Sequence, residues 1–315
     1  MDGGLIFEPQ ILTTAFTQDE RLRGSVLEFF AARIRNANTR ATYLRGVGMF
    51  SAWCDMRRLE LLKVSAVDVA LFIEMQTNSI PTIKIYLSAL RMFFDFLVVK
   101  GHIPFNPALS VKAPRYSQTT GKTPYFVDDE PRVLLDSIET DTLIGLRDRA
   151  VISTMLYTFA RVSAVVHMRF EDYFLRGRRS FLALHEKGGK RHVVPANHKL
   201  EEALDAYVER AQVRDDKKGY LFRSCLSEKQ SGAASEPLSR QGVFLMVKRR
   251  CEAAGLGSQY GCHSFRATGI TAFRRNGGTL EKAQQIAAHA SSQTTKLYDR
   301  TCEEVNIEEV ERIRF

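Results

Sequence analysis

Towards the C-terminus, four residues with chemical capacity follow one another at short intervals. Arg266 lies three residues beyond His263, His289 lies 23 beyond Arg266, and Tyr298 lies nine beyond His289. This His-x-x-Arg … His … Tyr order supplies cationic and hydrogen-bonding groups that can face a phosphate, and a phenol that can attack it. Each member also has a plainer use. A His-x-x-Arg pair can cap a helix on the surface, and Tyr298 is one of ten tyrosines that can pack a core edge. The question is whether other elements bring these groups to one place.

His263 and Arg266 are three apart and share one face at the start of a helix that runs over 264–276 and stops at Gly277-Gly278. Free N–H groups and the positive end of the dipole make that terminus a place for a phosphate. Thr279 can cap a helix over 280–289, and Ser292 can cap the next, 293–300, with Tyr298 on its second turn. A helix–turn–helix of this kind can return Tyr298 to the side of His289. Upstream, a helix over 146–159 leads into Arg161, where Ser163 can cap a short new helix. The apolar neighbours Phe159, Ala160, Val162 and Val165 imply limited exposure for Arg161, which then needs an acceptor. Segments 180–187 and 190–195 flank Gly188-Gly189, a strong two-residue hairpin turn. Lys187 then stands at the hairpin tip, in line with Phe181, Ala183 and His185, able to swing into a site on another element. Lys190, across the turn, competes for that role, and tip lysines also serve solubility alone.

Other periodic segments fill in the organisation. Residues 18–35 place Leu22, Val26, Phe29, Phe30 and Ile34 on one helical face. Asn38 or Thr39 can cap a second helix to 55, with Tyr43, Val47, Phe50, Trp53 and Cys54 inward. Ser65 opens a third carrying Val67, Val69 and Ile73, and a fourth over 82–100 follows Pro81 and ends at Gly101. Residues 104–124, with Pro104, Pro107, Pro114 and a polar run to Lys122, show no apolar period and read as linker. Helical patterns resume at 130–139, 146–159, 198–212 and 239–254. The expected architecture is mainly α in two domains: a helical domain over 20–113, a linker proper at 114–124, and a mostly helical domain with a small β-sheet over 125–300. Residues 1–19 form an extension and 301–315 a tail.

Composition narrows the function classes. No run of 18 apolar residues exists, and the N-terminus lacks a positive leader segment. Five scattered cysteines without a C-x-x-C pair point to reduced thiols, no zinc site and a cytoplasmic protein. The net charge of +9 is uneven: residues 29–123 carry thirteen Lys/Arg against five acids, whereas residues 1–28 are net acidic. A basic stretch of this length suits a polyanion, because neutralised phosphates release counterions.

The joint pattern resembles the tyrosine recombinase (phage integrase) family. The residues that carry the likeness are RVS at 161–163, EKGGKRHVVP at 186–195, HSFRATGITAF at 263–273 and AAHASSQTTKLYDR at 287–300, in that family's order and spacing. The runs NTRATYLRGVGMFSAWC and TIKIYLSALRMFFDFLVVKGHIPFNPA look like its core-binding (SAM-like) helical domain. The resemblance implies a C-shaped clamp on double-stranded DNA at specific sites, working as a homotetrameric synapse, in some cases with partner recombinases. It implies that Arg161 and Arg266 grip the scissile phosphate, that Tyr298 attacks to form a 3′-phosphotyrosyl link, and that Lys187 protonates the leaving 5′-oxygen. His263 would serve as acid/base towards the tyrosine, and His289 would hydrogen-bond the phosphate. The covalent link conserves the energy of the cut bond, so neither ATP nor a metal cofactor is implied.

The sequence looks closer to integrases of bacterial mobile elements than to Xer-like resolvases. A DNA-bridging protein without cleavage and a type IB topoisomerase are the other readings. One position departs from the family. Many members carry an acid three residues after the first arginine, and here that position is Ala164. Either a nearby acid, Glu171 or Asp172, takes its role, or the site is less rigid. Arg40, Arg45 and Lys84 in the helical domain, and Arg240 and Lys248 in the second, are candidate DNA contacts. In the family the C-terminal segment often docks on a neighbouring protomer, and the apolar residues among 301–315 fit either that or packing at home.

Overall fold

The computed structural model describes residues 20–118, 121–186, 189–224 and 236–301, together with Glu311 and Ile313. The chain forms two compact units, Met1–Ser117 and Gln118–Phe315.

In the first unit, α1 (Glu20–Glu28) runs into a π turn, Phe29–Arg33, and the whole expected stripe from Leu22 to Ile34 is buried. Helix α2 (Ala37–Met56) starts earlier than its sequence suggests. Its cap is Asn36, whose side chain accepts from the backbone N–H groups of Asn38 and Thr39 at 3.0 and 3.1 Å. Asn38 and Thr39 are therefore inside the first turn, because Asn36 is the last extended residue before it. Helix α3 (Ala66–Glu74) opens with a capping box between Ser65 and Asp68. Val67 does not enter the core and is 67% exposed. The buried stripe is Val69, Phe72 and Ile73, and Val67 lies about 200° around the helix from Val69 at 100° per residue. Helix α4 (Ile80–Val99) has Pro81 in its first turn and stops at Gly101, which adopts a φ of 74°. Aromatic edges lock α2, α3 and α4 together, with Phe50 meeting Phe72 at 5.1 Å and Phe94 at 5.8 Å.

The stretch after α4 departs from the linker expected there. Ile103, Ala108 and Val111 are buried, and Arg91 donates to the carbonyls of Ala108 (3.2 Å) and Val111 (2.5 Å). Asn106 returns the contact, donating to the carbonyl of Arg91 and the carboxylate of Asp95. Side chains on α4 thus satisfy the backbone of a segment that has no apolar period of its own.

The second unit begins with α5 (Glu130–Asp136) and α6 (Leu143–Thr158), followed by α7 (Val162–Val166). A 3₁₀ turn, Phe170–Asp172, leads into an antiparallel sheet ordered β1-β2-β3: β1 (Tyr173–Arg176), β2 (Arg179–Glu186) and β3 (Lys190–Pro195). Strand β1 is an addition to the expected hairpin, being only four residues long with no alternation to reveal it. Glu186 pairs with Lys190, so three residues connect the strands and Gly188-Gly189 is not a two-residue turn. Gly189 takes the positive φ, 77°. Lys187 and Gly188 lie outside the described residues.

Helices α8 (His198–Ala211), α9 (Arg240–Ala253), α10 (Cys262–Arg275), α11 (Leu280–Ile286) and α12 (Ser292–Lys296) follow among the described residues. Helix α7 packs on β2, and α6 is the central helix, touching α8 on one side and α10 on another. Asp148 of α6 is fully buried, and Arg147 and Arg250 reach it at 2.8 and 2.9 Å, tying α9 to α6. The approach of α10 depends on Gly269. A Cβ there would sit 2.3 Å from the carbonyl oxygen of Leu156 and 2.5 Å from the Phe159 ring. Gly269→Ala should therefore lower the unfolding free energy by about 1–3 kcal/mol, as overpacking does elsewhere. Denaturant melts read this directly, and unchanged stability would mean that α10 can stand off from α6.

Candidate active site

The site is assembled from chain turns that end helices. Helix α6 ends at Phe159, which adopts left-handed φ/ψ of 56° and 22°. That turn aims the Phe159 carbonyl at α10 and brings Arg161 to the N-cap position of α7. Ser163 is thus inside α7 rather than its cap. Helix α11 ends three residues sooner than its periodicity suggests. Ala288 takes a φ of 49°, its N–H returns to the carbonyl of Gln285, and the His289 N–H returns to Gln284. These are the two bonds of a Schellman motif, and they fix where the His289 ring starts.

Arg266, on the first turns of α10, is the centre of the arrangement and is 1% exposed. Its Nη1 donates to the Phe159 carbonyl, its Nη2 to the Ala287 carbonyl at 2.5 Å, and its Nε to His289 Nε2 at 3.1 Å. Two helix C-termini, with their negative dipole ends, therefore hold one buried guanidinium. Burial, then the neighbouring charge of Arg161, lowers the Arg266 pKa to about 10, which leaves it charged at neutral pH.

His289 is buried and acts as an acceptor. Since Nε2 accepts from Arg266, its proton resides on Nδ1, which donates to Thr295 Oγ1 at 2.9 Å. Both ring nitrogens are thereby engaged within the chain. Desolvation, then Arg266 and Arg161, pushes the His289 pKa down to about 3. The same causes in the same order lower that of His263, although this residue is exposed.

Tyr298 lies two residues past the end of α12, not on its second turn, and Ser291 rather than Ser292 caps that helix. Helix α12 is short because the Tyr298 segment is captured from outside it. Thr271 of α10 donates to the Tyr298 carbonyl, Asp299 pairs with Arg274 at 3.0 Å, and buried Arg300 donates to the carbonyls of Leu297 and Thr123. The half-buried phenol places its hydroxyl 3.4 Å from His263 Nδ1. Its ring stacks on His289 at 5.5 Å, and the Arg266 guanidinium lies 5.7 Å from its centroid. His263, Arg266, His289 and Tyr298 of one chain thus converge.

Arg161 joins them through its charge, which acts on Arg266 and both histidines. Its partner is Glu186, the last residue of β2, 6% exposed. Neither acid expected near Ala164 takes this place. Glu171 is exposed, and Asp172 accepts from the Arg169 backbone and faces His185 at 3.2 Å. Glu186 is silent in the sequence because it is 22 residues from Ala164 and acquires its neighbour only through the packing of α7 on β2. Thr295, Asp299 and Arg300 are equally silent, although their place beside Tyr298 is a usable hint.

The candidate DNA contacts divide by what they already hold. Arg45, Lys84 and Arg240 are exposed. Arg40 is bonded to the carbonyls of Ile34 and Arg35, and Lys248 to that of Ser258 at 2.5 Å. Beside His263 a cleft of about 710 Å³ is lined by Arg240, Gln241, Phe244 and Gly261, where the N-termini of α9 and α10 open.

Two arginines, two imidazoles and a tyrosine are thus gathered in one place, a set of donors and a phenol whose chemistry suits a phosphate. Residues 125–304 match the phage integrase family, and residues 27–101 match its N-terminal SAM-like domain. The chain belongs to the phage integrase family, whose members are the tyrosine recombinases. It is 26% identical over 268 residues to the tyrosine recombinase XerD of Listeria innocua, covering 84% of this chain and 88% of that one. It is 26% identical over 281 residues to XerC of Xylella fastidiosa, covering 87% and 90%. In fold it is similar to XerH bound to its difH substrate (TM-score 0.70, 19% identity, 96% of this chain and 90% of that one). A lambda integrase fragment dimer on a core site is similar too (TM-score 0.67, 18% identity, covering 90% and 97%).

His289 makes a pH prediction with a definite sign. Its folded pKa lies far below the ordinary 6.5, so its contribution to stability is complete above that value and is lost as pH falls towards 3. His289→Gln keeps an acceptor and a donor but cannot titrate. The melting-temperature advantage of wild type over this variant should shrink steadily from pH 7 to pH 4. A constant difference would mean that His289 does not hold its proton affinity down in this way.

Proposed function

We propose that the chain is a site-specific DNA recombinase that cuts and rejoins duplex DNA through a 3′-phosphotyrosyl intermediate. The observation that carries this is the Tyr298 hydroxyl, 3.4 Å from His263 Nδ1 and beside the buried Arg266 guanidinium of the same chain. Arg161 and Arg266 would grasp the two non-bridging oxygens of the scissile phosphate, a task suited to permanently charged, forked donors. Negative charge grows on those oxygens in the pentacoordinate transition state, and removing one such donor costs on the order of 10²–10³ in rate.

His263, neutral at physiological pH, can accept the phenol proton as the Tyr298 oxygen attacks in line. The bond to the 5′-oxygen breaks, and Lys187 would deliver the proton that this oxygen needs. A second 5′-hydroxyl attacking the phosphotyrosine reverses the step, so no bond energy is lost. His289 would bond the phosphate only by exchanging one of its present partners; its present role is to orient Arg266.

The substrate would be a specific duplex site held in a tetrameric synapse, in the bacterial cytoplasm, and the resemblance favours an element integrase. The XerD and XerC relatives favour a second reading, an Xer-like resolvase. The DNA flanking the gene separates them, since integration leaves element ends with repeats.

The test uses a random-sequence duplex library with nicks, so that a cut fragment diffuses away and traps the covalent adduct. Wild type should yield adducts stable to denaturant, and the recovered DNA gives the site. Tyr298→Phe should yield none while still binding. An adduct persisting in that variant would remove Tyr298 from the role. Binding without any wild-type adduct would favour a bridging protein, and relaxation of plasmid without sequence preference a topoisomerase.

A further inference from the structure

Ala164 is a buried methyl group, 1% exposed, so α7 offers no anion to the arginine that precedes it. We propose that Glu186 is the positioning residue of this site: from β2, its carboxylate holds the Arg161 guanidinium in the orientation that grasps the scissile phosphate. This rests on the recombinase reading above and adds to it the source of the missing carboxylate.

Three observations lead here. The first is burial. The Glu186 side chain is 3% exposed and that of Arg161 27%, so this is not one of the surface pairs whose geometry is loose and screened by salt. A carboxylate so enclosed needs its cation, and the cation in turn is held by it. The second is charge. Arg161 acts on Arg266 and both histidines as a repelling cation, whereas Glu186 acts on Arg266 in the opposite sense. Glu186 thus offsets the repulsion of two neighbouring guanidiniums. The third is the platform. Strand β2 is braced by β1 and β3, and His192 of β3 reaches the carbonyl of Ile286 at 3.0 Å, at the end of α11. The same helix end supplies the Ala287 carbonyl to Arg266. Both arginines are therefore oriented from one braced body.

The pair does not block the site. It engages Arg161 through Nη1, and a guanidinium carries five N–H donors, so most of the fork remains for a phosphate. Glu186 would act through Arg161 and touch no reacting atom.

The experiment measures single-turnover cleavage on the duplex recovered by adduct trapping, for wild type, Glu186→Gln and Glu186→Asp. Each is compared on the normal phosphodiester and on a scissile methylphosphonate, which lacks one anionic oxygen. On the phosphodiester, Glu186→Gln should be slower by roughly 10- to 100-fold, a fraction of the loss from removing a donor outright. Glu186→Asp should recover part of the rate. On the methylphosphonate the deficit should fall to a few-fold, because a neutral centre makes less demand on Arg161. In an Arg161→Ala background, Glu186→Gln should have no further effect.

Equal losses on both substrates, or additive losses with Arg161→Ala, would mean a structural role only and overturn the proposal. Wild-type rates in Glu186→Gln, or faster ones, would overturn it as well. Should Glu186→Gln not fold, Glu186→Asp on the two substrates separates a positioning role from a structural one in the same way. Absence of any wild-type adduct would instead remove the recombinase reading itself.

Discussion

A guanidinium buried to 1% exposure has to find acceptors for its N–H groups without losing its charge, and the architecture around Arg266 answers that demand. The acceptors are two main-chain carbonyls at helix ends and one imidazole nitrogen. Each of these groups is available only because a helix stops where it does. The left-handed residues Phe159 and Ala288 make those stops, and neither is the glycine that such a conformation favours. Backbone strain of about 1–2 kcal/mol per residue is tolerated at each because the ends are over-determined by packing.

From this constraint the character of the site follows. Burial first, and then the charges of Arg266 and Arg161, disfavour the neighbouring histidines as cations, so they remain neutral bases or acceptors. A neutral His263 near the Tyr298 hydroxyl is suited to take a proton, and a neutral His289 is suited to accept a hydrogen bond from Arg266. The carboxylate of Glu186 offsets part of the positive charge that the two arginines bring together. Tyr298 itself is delivered by main-chain and ion-pair anchors on either side, from Thr271, Asp299 and Arg300.

Much of this is legible in particular residues. The stripe from Leu22 to Ile34, the capping serine at 65, the stop at Gly101 and the cap at Thr279 all appear where local rules place them. Local rules fail where partners distant in sequence intervene. The segment after α4 has the composition of a linker, yet the side chain of Arg91 donates to its carbonyls and that of Asn106 accepts from the Ala108 N–H. Helix α11 is closed early by local Schellman bonds around Ala288, α12 is short because distant partners capture the residues after it, and β1 is hidden because four residues carry too little pattern.

The order and chemistry of Arg161, His263, Arg266, His289 and Tyr298 belong to the sequence, because residue type and motif spacing are written there and point to one family. The two-unit, mainly helical plan is likewise a consequence of where apolar residues recur. Only the tertiary structure decided which acid stands beside Arg161, which ring nitrogen of His289 carries its proton, and how Tyr298 leaves its helix. Those depend on contacts between strands and helices far apart along the chain, and nothing local constrains them. Ala164 marks the boundary well: the sequence showed that an acid was missing, and the packing of α7 on β2 supplied Glu186.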